Sequence, residues 1–120
     1  MTLFERPPKH TELRAYAGAV SGAPDAVFAS LQRRLETGEG HFAADPATRR
    51  IVQQGGWWYR GEYRVLPEGT GSRVEYEIVN VAQTAHVLGP ITGRDVLRAS
   101  PAAFAQLLGE LEDEAGYSGT

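Results

Sequence analysis

The sequence predicts an α+β fold: an antiparallel sheet with helices on one face, in the order strand, helix, several strands, helix. Three observations lead there. Residues 49–82 hold three strand-like runs separated by turn residues, and within them side chains alternate with period two, the pattern of a sheet with one wet and one covered face. Apolar residues at helical spacing follow Pro24 early in the chain and Pro101 near its end. The connections within residues 49–82 are short, which suits antiparallel hairpins.

Composition sets outer bounds. The chain has 120 residues, 42% hydrophobic and 22% charged, with a net charge of −3. This is ordinary globular composition, and we expect one domain over residues 11–116, an irregular lead-in at 1–10 and a tail at 117–120. Acidic and basic residues are interspersed without a basic stripe, which argues against nucleic-acid binding. There is no cysteine, so disulfides, thiol nucleophiles and thiolate metal ligands are excluded. The N-terminus lacks the apolar core of a signal peptide, and no run approaches the roughly 20 apolar residues of a membrane span. The expectation is a soluble, cytoplasmic protein without an integral membrane segment.

In the lead-in, Pro7 and Pro8 force extended backbone and remove two donors, while Leu3 and Phe4 are apolar enough to fold back on the body. Residues 11–20 read as the first strand, with Leu13, Ala15, Ala17 and Ala19 on one face and Glu12, Arg14, Tyr16 and Val20 on the other. The three alanines either allow close helix packing on their face or leave room there for something else. Ser21 or Gly22 then caps a helix whose first turn holds Pro24 and Asp25. Val27, Phe28, Leu31 and Leu35 form its apolar stripe, Arg33 and Arg34 suit its C-terminal end, and Gly38 and Gly40 stop it.

Residues 41–44 are a short segment before the turn at 45–48. Strands follow at 49–54, 57–66 and 72–82, separated by Gly55-Gly56 and by the turn at 68–71. Gly61, in mid-strand, points to a bulge, a bend or a close approach. Residues 83–99, broken by Gly89, Pro90 and Gly93, resist assignment and suit a packed loop or a lid. In the closing helix Ser100 caps and Pro101 takes the first position. Phe104, Leu107, Leu108, Leu111 and Ala115 form the apolar stripe, and Glu110, Glu112, Asp113 and Glu114 form a solvated acidic face.

This order resembles the helix-grip, START-like superfamily, which includes polyketide cyclase/dehydrase-type proteins and Bet v 1-like ligand carriers. The resemblance is carried by Ser21 to Phe28, SGAPDAVF, similar to the family's small-Ala-Pro-acidic-x-Val-Phe/Trp entry into its first helix, and by the amphipathic closing helix over 101–114. It covers residues 12–115 in outline, in a chain shorter than most members. It implies a reduced helix-grip fold, a sheet wrapped around the C-terminal helix, with a hydrophobic small molecule bound between them.

The candidate ligand-binding residues are aromatic. Trp57, Tyr59 and Tyr63 share one face of a strand with Gly61 and Val65, and Tyr76 and Asn80 share a face of the next with Val74 and Ile78. Aromatic rings supply apolar area and phenol hydroxyls orient a ligand. With Phe104 and Leu108 from the closing helix, these side chains form either a ligand wall or a filled core. Asn80 on an apolar face bonds backbone or a ligand. Trp58 and Leu66 fall on the other face and suggest a homodimer contact. Arg60, Arg64 and Arg73 alternate there with Glu62, Glu75 and Glu77, as cross-strand ion pairs on a wet surface.

Catalytic residues cannot be named. His10, His41 and His86 are dispersed; His10 and Glu12 share a face without a third ligand, so no metal site is expected. His86, beside the candidate lid, is the one general acid–base candidate besides the tyrosines. Gly69-Thr70-Gly71 lies between strands and lacks a following lysine, so it is no phosphate loop, and no cofactor is expected. Three functions stay open: binding of a hydrophobic, aromatic or lipid-like molecule, cyclase or dehydratase chemistry in the same cavity, and partner binding by a cavity-less dimer.

Overall fold

The computed structural model describes residues 2–38, 40–56, 58–82 and 94–118. The elements are β1 (Thr11–Val20), α1 (Pro24–Leu35), β2 (His41–Asp45), β3 (Arg50–Gly55), β4 (Tyr59–Glu68), β5 (Gly71–Asn80) and α2 (Arg94–Ser118). The strands form one antiparallel sheet in the order β1-β5-β4-β3-β2. The α+β class and the sheet packed against the closing helix are as the sequence predicts.

The phase of β1 differs from expectation. A bulge between Glu12 and Arg14 shifts the alternation by one residue, so Leu13 and Tyr16 both pack toward the core. Tyr16, Gly18 and Val20 then face α2, and Ala15, Ala17 and Ala19 are exposed on the outer face. Close packing does occur in this strand, but at Gly18, where a Cβ would overlap the Leu108 side chain.

Helix α1 begins with Ala23 as its N-cap, not Ser21 or Gly22. No side chain caps it; Pro24 removes one orphan donor and Val27 N donates to Ala23 O at 2.9 Å. Val27, Phe28 and Leu31 are buried. Gln53 Nε2 on β3 donates to Leu35 O at 3.0 Å and so satisfies a carbonyl at the helix end. In the β4–β5 hairpin Gly69, at φ 56°, takes the first central position of a two-residue turn, where a side chain would strain the backbone.

Helix α2 starts at Arg94, so Pro101 lies inside it and Ser100 is no cap. The apolar stripe extends upstream to Leu97, which with Phe104 and Leu111 is buried at seven-residue spacing. Proline has no N–H for the Leu97 carbonyl. Ser100 Oγ supplies the missing donor to Leu97 O at 2.7 Å. The acidic face of α2 is also less solvated than expected. Arg34 bonds Glu110 and Glu114 at 2.9 Å each, Ser30 Oγ donates to Glu114 at 2.6 Å, and Ser21 Oγ donates to Glu112 at 2.8 Å. These contacts clasp α1 and the segment before it to α2.

The lead-in folds back across the outer face of the sheet. Arg60, expected at a wet surface, is completely buried beneath it. Its guanidinium donates to Leu3 O at 2.7 Å, Phe4 O at 3.0 Å, Gln54 Oε1 at 3.1 Å and Glu62 Oε2 at 2.6 Å. A buried charge survives only when paired and hydrogen-bonded, and residues 3 and 4 provide part of that shell.

Candidate functional site

The inner face of β1, β5 and β4 is an aromatic row. Tyr16 pairs across strands with Tyr76, and Tyr76 with Tyr63, so three tyrosines stand abreast. The Tyr63 and Tyr76 rings stack at 4.4 Å between centroids and 11° between planes. Phe104 of α2 lies 5.7 Å from Tyr16 and 5.8 Å from Tyr76, again stacked. Behind this row the Tyr59 and Tyr76 hydroxyls share a hydrogen bond of 2.6 Å. Tyr59 reaches it by folding over Gly61, where a Cβ would overlap its hydroxyl. The mid-strand glycine therefore makes room for an aromatic ring.

Tyr16 Oη lies 2.6 Å from Ser100 Oγ. Because the Ser100 proton goes to Leu97 O, Tyr16 is the donor there. Burial raises the Tyr63 and Tyr76 phenols well above their ordinary range, and each is raised further by a neighbouring phenol. Burial likewise raises Tyr59, against the opposing effect of its bond to Tyr76. All three are neutral phenols at neutral pH; they exchange hydrogen bonds and do not act as resident bases.

Between this row and the first half of α2 opens a pocket of about 310 Å³, lined by Tyr63, Tyr76, Val96, Ala99, Ser100, Ala103, Phe104 and Leu107. Among the described residues its polar side chains are two phenols and one hydroxyl, with no carboxylate or imidazole. Val96 is the one large hydrophobic side chain exposed among the described residues, at 47%.

Solved structures that share this architecture include the following two. TTHA0849 from Thermus thermophilus matches with a TM-score of 0.58 and 19% identity, over 92% of this chain and 100% of that one. Ara h 8.0201 matches with a TM-score of 0.54 and 14% identity, over 86% of this chain and 98% of that one. The chain has the helix-grip fold. No protein-family model matches its sequence, and no curated protein sequence does.

Within this helix-grip frame the candidate residues separate. Tyr63, Tyr76 and Phe104 line the pocket. Tyr59 lies behind it, bonded to Tyr76. Leu108 packs over Gly18, away from the pocket lining. Asn80 is buried at the end of β5, and its Oδ1 accepts from Ala82 N at 3.0 Å, so its amide turns the backbone there. Trp57 and His86 lie outside the described residues. Of the segment 83–99, residues 94–99 are the first turns of α2, and 83–93 lie outside the described residues.

Trp58 is buried and meets Tyr59 edge-on at 5.7 Å, so it belongs to the core and not to an exposed patch with Leu66. It precedes β4, whose first residue is Tyr59, so strand alternation does not set its direction. Sequence reasoning placed Leu107 on the apolar face of the closing helix but missed Val96, Ala99, Ser100 and Ala103 as lining. Their spacing of three or four residues marks one helical face, but a Ser-Pro pair in mid-face mimics a helix start. Among the described residues no three metal-ligating side chains are grouped, and no helix is long and apolar enough to cross a membrane.

Proposed function

We propose that this helix-grip protein binds a hydrophobic small molecule, aromatic or lipid-like, between the tyrosine row and the first half of α2. The observation that carries the proposal is the 310 Å³ pocket, whose lining is apolar apart from Tyr63, Tyr76 and Ser100. That volume stands at the lower end of small-molecule sites, so it suits a compact ligand. Tyr63, Tyr76 and Phe104 would contact it by their rings, and the hydroxyls would fix its orientation. The exposed Val96 marks the rim. Binding is favoured over cyclase or dehydratase turnover because no carboxylate or imidazole lines the described pocket and its phenols stay protonated. It is favoured over a dimer contact through Trp58 because that side chain is buried.

The test is a fluorescence titration with 1-anilinonaphthalene-8-sulfonate, beside native mass spectrometry of protein purified from its own host. Ala103 lines the pocket and is exposed, so Ala103→Trp fills the space without crowding the core. The wild type should give a saturable signal and the variant none, with unchanged melting temperature. Equal binding by both proteins would refute the site.

A further inference from the structure

The outer face of the sheet, opposite α2, carries a groove of about 660 Å³ that the proposed function leaves unused. Register places Glu62 opposite Glu77, and Arg50 opposite Arg64. Like charges directly opposite one another destabilise a strand pair unless a counter-charge bridges them. The glutamates have their bridge: Arg6 of the lead-in donates to Glu62 at 2.9 and 2.8 Å and also to Glu77.

No carboxylate bridges the arginines among the described residues. Arg64 turns to Glu75 at 2.8 Å, and Arg73 occupies the other oxygen of that carboxylate at 3.1 Å. Asp45, the neighbour of Arg50 on β2, spends its carboxylate on Ala47 N at 3.1 Å and Thr48 Oγ1 at 2.9 Å. Arg50 instead lies over the Phe4 ring, 5.3 Å from its centroid, and donates to Phe4 O at 3.5 Å. Among the described residues four arginines and three glutamates line the groove, each glutamate already bonded, while Glu12 beside it bonds Arg6 at 2.6 Å and Glu68 lies 4.0 Å from Arg73. Ala15 and Ala17 line it with small side chains and leave its volume open.

We propose that this groove binds a phosphate group between Arg50 and Arg64, with Arg73 at its edge. One guanidinium fork fills a carboxylate, as Arg6 does with Glu62. Arg64 spends its Nε and Nη2 on Glu75 and Arg50 one Nη2 on Phe4 O, so the remaining N–H groups of the two guanidinium groups are left for the additional oxygen and charge of a phosphate monoester. The phosphate belongs either to a soluble ester or to a lipid headgroup.

The experiment follows arginine Nε–Hε signals by NMR while inorganic phosphate replaces chloride at constant ionic strength. Arg50 and Arg64 should shift saturably, and Arg98, exposed on α2, should not. Arg50→Gln and Arg64→Gln should each weaken binding about tenfold, the scale of one lost charged hydrogen bond. Melting temperatures will show that both variants fold. Linear shifts shared with Arg98, or binding undiminished in both variants, would overturn the proposal. Sedimentation with phosphatidic acid vesicles, against phosphatidylcholine vesicles, separates the sources. Pelleting that Arg50→Gln weakens assigns a headgroup, and saturation by phosphate without pelleting assigns a soluble ester. Pelleting undiminished by both substitutions counts against the site.

Discussion

Replacing Gly61 by alanine tests the packing on which the tyrosine row rests. A Cβ there would overlap Tyr59 Oη and stand 3.0 Å from its Cζ and 3.3 Å from its Cε2. The ring has to swing aside, and its hydroxyl then leaves the Tyr76 hydroxyl now 2.6 Å away. Tyr76 is 9% exposed, so its hydroxyl loses a partner inside the protein, at about 1–3 kcal/mol. Gly→Ala alone returns about 0.4–1 kcal/mol through the unfolded chain. The net loss is about 1–2 kcal/mol, or a fall of roughly 3–10 °C in melting temperature for a domain of this size. Circular dichroism melts of Gly61→Ala, Tyr59→Ala and the double variant measure it. With Tyr59 removed the overlap disappears, and Gly61→Ala should become neutral or stabilising, a coupling of about 1–3 kcal/mol. An equal cost of Gly61→Ala in both backgrounds would refute the packing described.

Three further outcomes are expected. Arg60→Met strips the donors from Leu3 O and Phe4 O, and should cost about 3 kcal/mol and expose residues 2–6 to proteolysis; wild-type stability and protection would contradict the buried role of this arginine. Burial pushes the Glu62 carboxyl up, but the hydrogen bonds and charges of Arg6 and Arg60 outweigh it and hold the group below the usual range. Its contribution is therefore complete above the unfolded value of about 4.3 and lost as pH falls through the folded one. Melts across pH should fall more steeply below about pH 4 in the wild type than in Glu62→Gln. Tyr59, Tyr63 and Tyr76 are raised above 10.0, so the stability linked to them is whole below that pH and lost as pH rises through the higher folded values. In a phenolate absorbance titration these three should ionise only with alkaline unfolding, and ionisation of Tyr63 or Tyr76 near pH 10 in folded protein would contradict the burial.

The candidate site was half legible. Tyr63 and Tyr76 could be placed on one covered face because strand side chains alternate without exception between bulges, and Phe104 because it begins a clear helical stripe. The other wall was hidden. Ala99, Ser100 and Ala103 are small, and their face is broken by Pro101, so residues 94–99 looked like loop. What keeps them helical is nonlocal: Ser100 meets the Leu97 carbonyl that proline abandons, while Tyr16, 84 residues away in sequence, donates to Ser100.

By itself the sequence determined the element order, the antiparallel meander and the covered faces of β4 and β5, since these follow from local periodicity and turn chemistry. The tertiary structure decided which side of β1 is buried, because one bulge inverts a two-residue period. It decided that Trp58 joins the core, since turn residues carry no alternation to read. It also decided that Arg60 is buried. An arginine on the strand face that carries Glu62 and Arg64 reads as solvent-facing until residues 3 and 4, distant in sequence, bring their carbonyls over it.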